Sequence, residues 1–210
     1  EAYLPYAWPK AYQQVTDASV VALIPTGNTL TVLTEAGPWL FSGVTPDAMS
    51  GRNLELNQAC VSKRSAVLVN GWVMYASPDG LVALNGSGAK VTTSQMITRE
   101  QWRSFKPETI IAFAQEGRYL AFYGDRHDKS FIFDPLTGDL RRFDIAASCG
   151  FNDLLNDTLY LVSGNELVQW ESSETIKQYL WRSKEFTTPD SGFSSVKIMC
   201  DDISKIGFKL

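Results

Sequence analysis

Hydrophobic residues come in short continuous runs broken by turn residues, and the clearest case is the stretch 72–84, WVMYASPDGLVAL. Two apolar, β-favouring arms flank the turn Ser77-Pro78-Asp79-Gly80, which predicts a β-hairpin. Neither arm alternates polar with apolar, so both strands are expected to be covered on both faces. Periodicity alone also fits a short buried helix, but Pro78, Asp79 and Gly80 argue against one.

The unit recurs as TLTVLTEAGPWLF from Thr29, YLAFYGDRHDKSFIF from Tyr119 and TLYLVSGNELVQW from Thr158. A hairpin that returns every ~40 to 50 residues has the spacing of propeller blades. Ahead of each hairpin lies one more apolar run that ends in a turn, at 20–24, 66–69, 110–113 and 151–155. After each comes a more polar run: Leu54-Glu55-Leu56, Ala89-Lys90-Val91, 140–143 and 179–181. Three apolar strands and a polar fourth suit a blade whose outermost strand alone meets water along its edge. The expected fold is therefore all-β and β-propeller-like, with about four blades of four antiparallel strands at 20–65, 66–109, 110–150 and 151–192.

Outside the blades the reading is of an aromatic, proline-rich arm over 1–19, extended because of Pro5 and Pro9, that packs across the domain or onto a neighbouring subunit. The segment 193–210 reads as the start of a further strand pair or a truncated segment, with a partial fifth repeat over 193–199. A chain that stops within an apolar run leaves an unpaired edge, so an incomplete or fragmentary propeller is expected. Short helical turns are predicted after Thr45, with Pro46 at the first position, and after Thr98, where Thr98 and Gln101 form a capping box.

Composition narrows the class. With 44% hydrophobic and 20% charged residues in 210, the chain is ordinary globular protein with enough apolar content for a large core. A net charge of −4 argues against a nucleic-acid surface spread over the whole chain, while a local basic patch survives that argument. No apolar run approaches the ~18 to 20 residues of a membrane span.

Candidate chemistry is sparse, and no catalytic, cofactor-binding or metal-binding residue is assigned. The single histidine, His127, falls in the polar loop 124–129 and reads as a solvated loop tip. Asp125 and Asp128 beside it lack the Asp-x-Asp-x-Asp-Gly form of a calcium loop. The turn at Ser77 falls short of the Ser-x-Asp-x-Gly box of sialidase-like propellers, since Gly80 follows Asp79 directly. Cys60, Cys149 and Cys200 lack zinc spacing and read as free thiols. A Cys60–Cys149 disulfide stays open, because each precedes the first strand of a blade. The basic pairs Lys63-Arg64 and Arg141-Arg142, with Arg182 and Lys184, read as solvated faces unless several gather on one side as a ring around DNA.

The stretches Asn57-Gln58-Ala59-Cys60-Val61-Ser62-Lys63-Arg64-Ser65, Val73-Met74-Tyr75-Ala76-Ser77-Pro78-Asp79-Gly80-Leu81 and Trp181-Arg182-Ser183-Lys184-Glu185-Phe186 resemble a group of tailed-bacteriophage or prophage virion proteins. Residues 23–42 and 98–123 are similar to the same group. The resemblance implies a structural component of the phage tail or connector, of nozzle or hub kind, that acts by assembly around the DNA exit path. Its partners would be copies of itself in a ring and other tail proteins, with non-specific DNA contact, no cofactor and no catalysis. Its location would be the virion, assembled in the host cytoplasm. The alternative function is a host-glycan-binding or glycan-cleaving propeller, for which Trp39, Trp102 and Trp170 are the stacking candidates.

Overall fold

The computed structural model describes residues 9–175 and the single residues 178, 180, 195, 197, 199 and 207. The chain divides into two units, Glu1–Ser172 and Ser173–Leu210; the account below concerns the first. It is all-β and propeller-like, built from four successive antiparallel sheets, each a meander.

Blade 1 holds β1 (Val20–Thr26), β2 (Thr29–Thr34), β3 (Pro38–Ser42) and β4 (Ser50–Asn53). Blade 2 holds β5 (Val67–Val69), β6 (Trp72–Ala76), β7 (Leu81–Asn85) and β8 (Gly88–Val91). In blade 3 are β9 (Ile111–Gln115), β10 (Arg118–Tyr123), β11 (Lys129–Phe133) and β12 (Leu140–Phe143), and in blade 4 β13 (Cys149–Asp153), β14 (Thr158–Ser163) and β15 (Glu166–Gln169). The first three sheets have four strands and the fourth has three among the described residues. Of the expected strand at 179–181 and the partial repeat at 193–199 only the single residues 180, 195, 197 and 199 are described, and the rest lies outside the described residues.

The unbroken apolar runs are explained by packing on both sides. In blade 2, Val73, Tyr75, Val82 and Leu84 join a core with Ala22, Ile24, Leu33 and Leu40 of blade 1. Their neighbours Met74, Ala76, Leu81 and Ala83 turn the other way, into a core with Tyr119, Ala121, Phe131 and Phe133 of blade 3. A third core joins Leu120 and Phe122 of blade 3 to Leu159 and Leu161 of blade 4. Successive side chains point to opposite faces of a strand, so a strand buried on both faces has no polar position. The outermost strands β4, β8 and β12 are largely exposed or half-buried.

Two elements sit where the expectations missed. The fourth strand of blade 1 is Ser50–Asn53, while Leu54 and Leu56 lie in the connection beyond it and pack against the first inter-blade core. Glu55 between them takes a left-handed backbone, with φ of 55°. In blade 4 the first strand begins at Cys149 instead of Phe151 and ends at Asp153, leaving Leu154 and Leu155 exposed in the turn.

The one α-helix among the described residues, α1 (Arg99–Ser104), has the predicted capping box: the Gln101 amide donates to Thr98 Oγ1 at 3.2 Å, and the Thr98 amide donates to Gln101 Oε1 at 2.9 Å. The cap sets the angle at which Trp102 enters the core between blades 2 and 3. Thr98→Ala is expected to cost about 1 kcal/mol of stability, read as a lower urea midpoint with an unchanged slope. At Pro46–Ala48 a 3-10 turn forms, with Pro46 leading as expected and no cap bond from the Thr45 side chain.

Candidate functional site

The stretches 57–65, 73–81 and 98–102 converge on one place, the connection that leaves blade 1 for blade 2, while 181–186 lies outside the described residues. Its backbone and side chains bond to three blades in turn: the Cys60 amide donates to Thr34 O at 3.1 Å, the Val61 amide to Ala76 O at 3.1 Å, and Ser62 Oγ to Ile110 O at 2.6 Å. Ser65 Oγ donates to Ser62 O and accepts from the Ala76 amide, and Tyr119 Oη donates to Ser65 O at 2.8 Å. Gln58 is shared as widely. Its carbonyl accepts from Tyr75 Oη, its Oε1 from Ser77 Oγ, and its Nε2 donates to Asp79, which also receives Arg99. Trp102 Nε1 closes the set with a 2.7 Å bond to Ser77 O. Residues 57–65, 73–81 and 98–102 are thus parts of one hydrogen-bonded staple. Polar groups so placed satisfy one another and hold the blades together.

Burial raises the Cys60 thiol to about 11, and the Tyr75 and Tyr119 hydroxyls are pushed up by the same desolvation. A raised folded-state value means that the folded thiol keeps its proton where the unfolded chain has released it. The contribution is whole below pH 9.0 and is lost as pH rises from there through about 11. Stability is therefore expected to fall across that window, as followed by denaturation midpoints. Cys60 and Cys149 are both free, which settles the open disulfide against a pair. Buried Cys60 is expected to resist alkylation until the chain unfolds, whereas exposed Cys149 reacts at neutral pH, as peptide mapping will read.

Other candidates fall apart as sites. His127 is no solvated tip: it is half-buried, takes φ of 50°, and its Nε2 lies 2.9 Å from Thr109 O while its carbonyl accepts from Ala147. The ring is thereby tied to the connection at Thr109 and the backbone carbonyl to that at Ala147. Asp125 is taken by Lys106, which lowers its carboxyl below the ordinary range. Among the described residues no three His, Cys, Asp or Glu gather as a metal set. No helix of the described chain is long and apolar enough to cross a membrane.

Of the three tryptophans, Trp102 is fully buried and is excluded as a stacking platform. Trp39 is half-buried, stacks on Phe41 and donates to Asp17 Oδ1 at 3.0 Å. Trp170 is half-buried against Phe143 and borders a shallow cleft with Gln115, Glu116, Arg118, Ile132 and Glu171. Gln115 Oε1 is buried with no partner among the described residues. Of the basic candidates, Arg182 and Lys184 lie outside the described residues. Arg64 donates to Ser148 O, and Arg141 and Arg142 are exposed on β12 at the outer edge of blade 3.

What composition could not reveal is the apolar surface at the two ends of the row of blades. On blade 1, Val20 and Leu23 point away from blade 2 and are 51% and 58% exposed. Beside them, Val32 and Phe41 are buried on the same side. Residues of the arm cross there, with Asp17 bonded to Trp39 and Asn53 and Gln14 to Met49 O. On blade 4, Phe151 and Leu167 point away from blade 3 and are 67% and 70% exposed, with half-buried Tyr160 and Val162 between them.

No family model matches the chain, and no curated protein matches it. Among solved structures it is similar to two crystal structures of the extracellular domain of BT4673 from B. thetaiotaomicron, at 12% and 13% identity and a TM-score of 0.48 in both. It covers 24% and 23% of those chains, which in turn cover 81% and 80% of this one. PorZ, a surface component of the type-IX secretion system of Porphyromonas gingivalis, is similar at 14% identity and a TM-score of 0.42, over 74% of this chain and 20% of its own. The chain spans about a quarter or less of the length of these proteins. None of the three decides what it does.

Proposed function

We propose that this chain is a structural component of a bacteriophage tail or connector, assembled in the host cytoplasm and carried on the virion, where subunits gather around the DNA exit path. One observation supports the reading above others: the polar groups of the connections are consumed inside the body, while among the described residues apolar side chains of the first and fourth sheets, Val20, Leu23, Phe151 and Leu167, are exposed. Contiguous apolar surface of this kind marks association. The partners in this reading are copies of the chain and neighbouring tail proteins. Non-specific contact with DNA runs through exposed Lys63, Arg141 and Arg142 and weakens with salt. The test is particle assembly with a tagged chain. Its presence in purified tails as a ring, and tails that fail to form or to eject DNA without it, are the expected results. Complete, infective particles that lack the chain would overturn the reading.

A second reading, glycan binding, keeps one specific feature: Trp170 at the cleft beside Arg118 and the unpartnered oxygen of Gln115. An aromatic face next to polar groups suits a sugar ring. Glycan-array binding that disappears in Trp170→Ala would favour it, and a blank array removes it.

A further inference from the structure

Two Asn-Gly pairs occur in the chain, at 70–71 and 85–86. Glycine after asparagine leaves the backbone nitrogen open to the asparagine side chain, and attack of that nitrogen on the amide carbon closes a five-membered imide. Both pairs stand in hairpin turns, the first between β5 and β6 and the second between β7 and β8, yet the fold treats their side chains in opposite ways. Asn85 Oδ1 accepts from the Ser87 amide at 3.0 Å and from Ser87 Oγ at 2.6 Å. The side chain is thus folded back over the Gly86 peptide. Two donors are aimed at the oxygen on which negative charge develops when its carbon is attacked. Gly86 is exposed, and a Cβ there would meet nothing within 4 Å. Arg52 Nη2 of β4 lies 3.4 Å from the Gly86 carbonyl oxygen, so a positive charge stands beside the forming anion. Asn70 is held by its other end. Its Nδ2, the group that has to leave, donates to Gly117 O at 3.1 Å, and a Cβ on Gly117 would stand 2.5 Å from that nitrogen.

We propose that Asn85 is a self-modifying site, at which the side-chain amide is lost and a carboxylate appears beside Arg52, while Asn70 is kept intact by its bond to blade 3. The Gly86 nitrogen gives its proton to solvent hydroxide and bonds to Asn85 Cγ. The bond from Cγ to Nδ2 then breaks, and ammonia leaves after taking a proton from water. Water opens the imide at one carbonyl or the other, which gives aspartate or isoaspartate. The change adds negative charge where β4 of blade 1 meets the outer turn of blade 2, and Arg52 is there to pair with it. The same change at 70 would set a carboxylate against the Gly117 carbonyl and remove the donor that ties blade 2 to blade 3. The inference rests on neither reading of function given above.

The test incubates the full chain at mildly alkaline pH, with and without urea, and follows both pairs by peptide mapping that separates aspartate from isoaspartate. In the folded chain the amide at Asn85 is expected to be lost about tenfold faster than that at Asn70, with an acidic band that grows on isoelectric focusing. In urea the two rates should converge, because the bonds that distinguish the sites are gone. Ser87→Ala, at an exposed position, removes one of the two donors. It is expected to slow the loss at Asn85 several-fold and to leave the melting temperature and the rate at Asn70 unchanged. Equal rates in the folded chain, loss at Asn70 ahead of Asn85, or a folded chain that keeps both amides while the unfolded chain loses them would each overturn the inference. A ratio that survives in urea would overturn it as well, since the difference would then belong to the flanking residues and not to the fold.

Discussion

Trp102→Ala is expected to destabilise the protein by about 3–5 kcal/mol, a large part of the stability of a domain this size. The indole has no exposed surface. It meets Phe105 and Phe131 with ring centroids 6.0 and 6.1 Å away, in the core that joins blades 2 and 3. Truncation removes this packing and also strips the Ser77 carbonyl of its bond from the indole nitrogen. Trp102→Phe separates the two effects. It keeps most of the ring and loses the bond, so its cost is expected to be about 1–3 kcal/mol. Urea denaturation of the two variants beside the parent reads both values. Near-parental stability of Trp102→Ala would mean that the helix carrying it is not packed as described.

The second large effect is at Phe131, whose ring lies against Trp102, Phe105, Tyr119 and Tyr123. Phe131→Ala opens a hole under four aromatic rings at a fully buried point of β11, and is expected to cost about 3–5 kcal/mol. Because Phe131 and Trp102 touch, the double variant should lose less than the sum of the two single losses, by about 0.5–3 kcal/mol. The same urea series measures this, and strict additivity would refute a shared core.

The hairpins were legible because a strand buried on both faces leaves an uninterrupted apolar run. At β6 and β7 that run is framed by Pro78 and Gly80, and even the pairing of Ala76 with Leu81 follows from the turn. The capping box at Thr98 was legible because it is a local device in which residues three apart satisfy each other. The outermost strand of blade 1 was not. Ser50, Gly51, Arg52 and Asn53 pair with β3 through backbone bonds that any side chains permit, while the apolar Leu54 and Leu56 nearby carry a signal that belongs to the connection. Leu154 and Leu155 misled the placement of β13 in the same way, since an apolar residue in an exposed turn looks like the end of a strand.

The staple was legible only as words. Gln58, Ser62 and Ser65 are small or polar residues between strands, and their sequence neighbourhood says loop. Their partners Ile110, Tyr119 and Asp79 are remote in sequence, and only the fold brings them within reach. Trp102, named as a stacking candidate only for the glycan alternative, is buried completely by the fold. The backbone of His127 turns left-handed and carries the ring inward, a choice that its polar neighbours do not announce.

Among the described residues, blades 2 and 3 are gripped from both sides, whereas blade 4 packs on one neighbour and has half-buried or exposed residues throughout β13 and β15. Resistance to opening is therefore graded along the molecule, since a sheet that touches one neighbour can come away without disturbing the rest. Amide exchange is expected to be slowest in the second and third sheets, which are buried on both faces, and faster in the fourth.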